Sequence, residues 1–78
     1  MIRFDRHARR RMKWRGISEE EALATLAGPD ETQVSEFGRL NALKTIDGRR
    51  IKVVFKQNGE DILVISALVK SRGGSRED

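Results

Sequence analysis

The chain has 78 residues, a formal net charge of +4 at neutral pH and no cysteine. That length makes one small domain, which buries only about 60% of the surface its unfolded form exposes; its margin of stability is about 3–5 kcal/mol unless a partner adds to it. Disulfides, thiolate metal sites and cysteine catalysis are excluded, and no apolar run approaches a membrane span.

The charge is concentrated at one end. Residues 1–16 hold seven Arg/Lys against one Asp, a balance of +6, and the rest holds nine against eleven Asp/Glu, a balance of −2. A cationic element on a near-neutral body focuses the field and points to a phosphate-bearing or acidic partner. The opening Met1-Ile2-Arg3-Phe4-Asp5 has no apolar signal segment behind its charges, so a soluble cytoplasmic protein is expected.

Ile2, Arg3 and Phe4 can form a short strand. From Asp5 to Arg15 no Pro or Gly interrupts a run of good helix formers. Asp5 suits the N-cap and Gly16 a left-handed C-cap. At about 100° per residue, Phe4, Ala8 and Met12 share one face. Arg9, Arg10 and Lys13 project to the other side. Arg11 and Arg15 fall beside the apolar sector and are expected to be half-buried, with His7 and Trp14 flanking it.

Ser18, with Glu21 three residues on, predicts a capping box at the start of a second helix. Glu19, Glu20 and Glu21 suit the positive end of its dipole. Ala22, Leu23, Leu26 and Ala27 give the expected apolar face, and Gly28-Pro29 stops the helix. The period then changes to two. Strands are expected over Thr32–Phe37 and Leu40–Ile46, and Asp47-Gly48 and Asn58-Gly59 read as two-residue hairpin loops. Between those loops Ile51, Val53 and Phe55 point one way, while Arg50, Lys52, Val54 and Lys56 point the other. Ile62–Val69 is apolar on both faces, as expected of a central or well-covered strand. Ser71–Asp78 holds only Gly, Ser and charged residues and reads as a disordered tail. The expected architecture is α+β: a single domain over residues 1–70, with a short N-terminal strand, a two-helix hairpin and a three- to four-stranded antiparallel meander. The helices cover one sheet face.

His7-Ala8-x-x-Arg11-Met12-x-x-Arg15-Gly16-Ile17-Ser18-x-x-Glu21 resembles the opening motif of domain of unknown function 4258. Arg50–Phe55 and Ile62–Ala67 are similar to that family's closing strands. The resemblance spans most of residues 2–70. It implies a RelE/ParE-like fold, since these small bacterial domains are placed with that toxin superfamily. Relatives there cut messenger RNA on the ribosome or poison DNA gyrase, each held by an antitoxin.

His7 is the only histidine, the side-chain type that changes charge near neutral pH. It can take a proton from a ribose 2′-hydroxyl, or it can be a packing or capping residue. Arg11 and Arg15 can hold a phosphate or stabilise a phosphorane, or each can pair internally with Glu21 or Glu36. Arg9, Arg10 and Lys13 suit nucleic-acid backbone contacts, or an ordinary solvated helix face. Arg50, Lys52 and Lys56 can complete a basic groove with Arg39, Lys44 or Lys70, or simply keep a sheet face soluble. Trp14 can stack on a base or pack over the helix–sheet edge. There is no tyrosine, and after the last strand only Lys70, Ser71 and Arg72 could add chemistry. No ligand spacing for a metal and no phosphate-cradling loop is present.

The expected function is that of a toxin-like RNA-binding protein, with metal- and cofactor-independent cleavage of RNA or ribosome-bound mRNA as its candidate activity. His7, Arg11 and Arg15 would be the catalytic set. An acidic antitoxin is the expected protein partner, a homodimer is open, and no membrane is involved. The alternative is a non-catalytic nucleic-acid- or protein-binding module.

Overall fold

Both helices begin and end on the residues chosen from local chemistry. In the computed structural model, which describes residues 1–70 and leaves the expected tail at 71–78 outside them, helix α1 spans Arg6–Arg15. The Asp5 carboxylate accepts the His7 backbone N–H at 3.1 Å. Gly16 closes the helix at φ 69°, a conformation that a Cβ would strain. Helix α2 spans Glu19–Ala27. The Ser18 hydroxyl accepts the Glu21 N–H at 3.0 Å, and the Glu21 carboxylate accepts the Ser18 N–H at 2.9 Å, a complete capping box. No helix among the described residues is long and apolar enough to cross a membrane.

Five strands follow the order β1-β5-β4-β3-β2. They are β1 (Ile2–Phe4), β2 (Glu31–Val34), β3 (Leu40–Ile46), β4 (Arg49–Asn58) and β5 (Asp61–Lys70). Strands β2 to β5 form the expected antiparallel meander. β1 lies parallel to β5, pairing Ile2 with Ile62 and Phe4 with Val64, so the sheet is mixed. The reason is the crossover: the chain leaves β1 through the helix pair and re-enters the sheet at the far edge, so β1 meets the last strand.

Both helices pack on one face. Ala8, Met12, Ile17 and Ala22 share a core with Ala42, Ile51, Val53, Phe55, Val64 and Ala67. α1 packs on β5, and α2 on β3 and β4. The fully buried residue of α2 besides Ala22 is Thr25, and Leu23 and Ala27, expected inside, lie on the exposed side. Thr25 tolerates burial because its hydroxyl donates to the Glu21 carbonyl at 2.8 Å.

Three strand details differ from the expected pattern. β2 ends at Val34, not Phe37, because Phe37 turns to φ 60° in a short 3-10 turn over Glu36–Gly38. Asp47 and Gly48, at φ 53° and 80°, form the expected hairpin loop with both central residues left-handed. The second loop is Gly59-Glu60, one residue later than expected, since Asn58 still pairs with Asp61. β5 stands between β1 and β4, the central position expected of the apolar run Ile62–Val69, but without the regular alternation of a flat strand. The ladder shifts between Val54 and Phe55, so Ile65 is an extra residue in β5. That bulge lets Val64 and Ala67, three apart, both face the helices. Ile65 and Leu68 are half-buried, and on the face opposite the helices Asn41 and Leu43 of β3, paired with Val54 and Lys52, are buried.

Arg49, at the start of β4, ties the helix pair to the sheet. It donates to the Gly16 carbonyl at 3.1 Å and to the Glu21 carboxylate at 2.5 Å. The Ser18 N–H first, and then Arg49, hold the Glu21 carboxyl below its ordinary pKa of 4.5. Removing both interactions by Glu21→Ala is expected to cost about 1–2 kcal/mol at pH 7 in urea unfolding. A depressed carboxyl stabilises the fold above its unfolded pKa. The advantage of wild type over the variant should therefore be constant above 4.5 and shrink as pH falls through the lower folded value. Equal stabilities at pH 7 would refute the assigned role.

Candidate nucleic-acid interface

The two flanks of α1 are distinguished by what their arginines reach. Arg9 pairs with Glu19 at the start of α2 and lies over the Phe4 ring, 5.4 Å from its centroid. Arg15 donates to the Ala67 carbonyl of β5 at 2.9 Å. One flank therefore faces α2 and the other overlooks β5.

His7, Arg11 and Trp14 lie on the β5 side of α1, and Arg10, opposite the buried stripe, adjoins His7 at i+3 and Trp14 at i+4, the spacing of neighbours on a helix surface. All four are exposed. Trp14 is 76% exposed, so it does not pack over the helix–sheet edge. Arg11 and Arg15, both expected to be half-buried, are exposed as well. Among the described residues no hydrogen bond or ion pair engages any of these four side chains. The burial boundary is narrow because Ala8 and Met12 alone carry the buried stripe of α1; Arg11, about 80° from its centre, is already in solvent. Lys13 is exposed too, and with Arg15 it lies in the last turn, where the helix dipole favours cations.

Arg15 has a different task. β1 pairs only with Ile62, Leu63 and Val64. Ala67 lies beyond that reach, and the Arg15 guanidinium supplies a donor to its carbonyl. It pairs with neither Glu21 nor Glu36: Glu21 is taken by Arg49.

The β4 cations stand on the opposite sheet face. Ile51, Val53 and Phe55 are buried under the helices, so Arg50, Lys52 and Lys56, alternating with them, point away. Arg50 donates to Glu31 at 2.9 Å and to the Thr45 hydroxyl at 3.2 Å. Gln33 first, and then Arg50, hold the exposed Glu31 carboxyl below the usual range. Lys52 is half-buried in register with Leu43 and Leu68. Lys56 is exposed, with Arg3 of β1 in the same row. Lys70 is opposite Arg50 and shares this face. Lys44 does not: it pairs in register with Ile51, and its ammonium reaches the Gly28 carbonyl at 3.0 Å and Asp30 at 3.8 Å. Arg39 follows the 3-10 turn, outside the strands. The cations therefore form two surfaces separated by the sheet, not one groove.

The chain matches, over residues 4–69, the family described as domain of unknown function (DUF4258). It belongs to that family. Neither a curated protein nor a solved structure matches it.

Within this DUF4258 chain, most of the opening motif is occupied by folding. Ala8, Met12 and Ile17 are core residues, and Gly16 is the C-cap. Ser18 and Glu21 make the capping box, and Arg15 holds Ala67. His7 and Arg11 are the two motif positions whose side chains no described residue engages. Arg49 and Arg3 were not singled out from the sequence. Arg49's partners come from a helix junction far away in sequence, and Arg3's neighbours follow from a parallel pairing without a local signature.

The two arginines of the motif can be separated by stability. Arg15→Met, which keeps the apolar stem, is expected to lose about 1–2 kcal/mol, whereas Arg11→Met should remain within about 0.5 kcal/mol of wild type. Thermal and urea unfolding measure both, and equal losses would contradict the assignment.

Proposed function

We propose that this DUF4258 domain is a small RNA-binding protein of the toxin type, which holds a single strand along the β5 flank of α1. The observation that carries the reading is the exposed Trp14 in line with unengaged His7, Arg10 and Arg11. An exposed aromatic among cations offers a stacking platform with phosphate contacts on either side, and a guanidinium can grip a phosphate in bidentate fashion. Lys13 extends the cationic surface. The order of strand, helix pair and meander is the one that the resemblance to RelE/ParE-like toxins implies, and it supports the same reading. An acidic antitoxin segment suits the same flank, because no carboxylate of the described chain neutralises it.

Cleavage is the second layer of the proposal. His7 would take the proton of a ribose 2′-hydroxyl as its oxygen attacks the adjacent phosphorus. Arg11 would bind the non-bridging oxygens, and the departing 5′-oxygen would take a proton from water. Arg15 is left out of that set because its guanidinium is engaged by Ala67. The exposure of His7, with no second acid–base side chain engaged with it, favours a non-catalytic binder as the other reading, unless a ribosome orients the strand.

Trp14 is the only tryptophan, so its fluorescence reports directly on this surface. Single-stranded RNA is expected to quench it. Trp14→Ala should weaken affinity, followed then by labelled RNA, by about 1–3 kcal/mol. Contacts from Arg10, Arg11 and Lys13 should give a slope of log K against log salt of about −2. Affinity independent of salt, with Trp14 unquenched, would rule out this interface. For cleavage, induced expression in bacteria without an antitoxin should arrest growth and fragment transcripts, and His7→Ala should abolish both while remaining folded. Arrest that persists in His7→Ala would remove His7 from the chemistry; intact transcripts would leave the binding reading alone.

A further inference from the structure

On the sheet face opposite the helices, Arg3 of β1, Leu63 of β5 and Lys56 of β4 form one row across three strands. With Asn58, Asp61 and Ile62 they line a hollow of about 280 Å³. Among the described residues neither Arg3 nor Lys56 has an ion pair or a side-chain hydrogen bond. Asp61, the one carboxylate lining the hollow, receives the Met1 nitrogen at 3.4 Å. Two unengaged cations thus flank the partly exposed Leu63, with an amide and a carboxylate at the side.

We propose that this hollow binds a phosphate monoester carried on a sugar, the size of one nucleotide. Arg3 and Lys56 would hold the phosphate, one as a planar fork and the other as a compact charge. Leu63 would support the apolar part of the sugar or base, since Ile62, next to it in β5, packs against the core on the helix side. Asn58 and Asp61 offer acceptors for its hydroxyls. The volume discriminates between ligands: it lies at the lower limit of pockets that enclose small molecules, about 300 Å³. Inorganic phosphate offers the cations a partner but has no apolar part to cover Leu63. A chain of phosphates would bring further negative charge against Asp61. The same chemistry is offered by a free mononucleotide and by the phosphorylated end of a strand. The site stands on its own geometry and is independent of the RNA reading of α1, since the row lies on the sheet face opposite the helices.

The test is a titration of the full chain with AMP, adenosine and inorganic phosphate, followed by amide chemical shifts. AMP is expected to bind with a Kd on the order of 1 mM or tighter. Its shifts should be confined to Arg3, Lys56, Asn58 and Asp61 to Leu63, with Trp14 fluorescence unchanged. Adenosine and phosphate should each bind at least tenfold more weakly. The double variant Arg3→Gln/Lys56→Gln should lose at least tenfold in AMP affinity, while Arg10→Gln/Arg11→Gln keeps wild-type affinity. Comparing AMP with a trinucleotide, with and without a 5′-phosphate, separates the two sources. Tighter binding of the phosphorylated trinucleotide assigns a strand end, and equal binding assigns the free nucleotide. AMP shifts absent from the hollow, or AMP binding no tighter than phosphate, would overturn the site even if the double variant fails to fold.

Discussion

Between α1 and β5 the contact is made by small or slender side chains: Ala8 and Met12 from the helix, Val64 and Ala67 from the strand. Alanine carries nothing beyond its Cβ, so the helix can settle close to the sheet. The arrangement requires two residues of β5 to face the same way although they are three apart. In a regular strand they would face opposite ways. The extra residue at Ile65 reconciles the two demands. Without it, Ala67 would turn to the opposite face and α1 would lose part of its seat. The cationic flank, the position of Arg15 and the separation of the two basic surfaces all follow from this contact.

A narrow seat has an electrostatic consequence. Because so few α1 residues are buried, most of its cations are left in solvent. The acidic residues of the later chain are committed elsewhere. Glu19 holds Arg9, Glu21 holds Arg49, Glu31 holds Arg50, and Asp30 is beside Lys44. A chain of modest net charge thereby keeps a strongly positive flank on α1, and a second pair of unengaged cations, Arg3 and Lys56, on the opposite face. Local commitment of carboxylates, more than net charge, decides where an anion can bind.

The motif that identifies the family is largely a folding motif. Core residues, a left-handed cap and a capping box account for most of its positions, which explains why the fold was legible there while the chemistry was not. Caps and tight turns are short-range: Asp5, Gly16, Ser18 with Glu21, and Asp47-Gly48 act on groups within a few residues. β3 begins and ends where its alternating pattern does, at Leu40 and Ile46. The misplacements also have short-range causes. Phe37 entered the turn instead of β2, and Asn58 stayed paired, which moved its loop by one residue. In α2, Thr25 took an inner position assigned to Leu23, because a hydroxyl bonded to its own helix can be buried.

What the sequence by itself determined is the set of elements, their caps and the concentration of charge on α1, since each depends on residues next to one another in the chain. Only the tertiary structure decided which cations are engaged. Arg11 and Arg15 both border the buried stripe of α1, about 80° and 40° from its centre, yet one side chain is unengaged and the other meets a β5 carbonyl that the short β1 does not reach. Lys44 and Lys52 are both strand lysines of β3 and β4, yet pairing register sends them to opposite faces. Arg3 joins Lys56 only because β1 lies parallel to β5. The engagement of Arg15 and the meeting of Arg3 with Lys56 rest on contacts across some fifty residues or more of chain, and no local pattern encodes them.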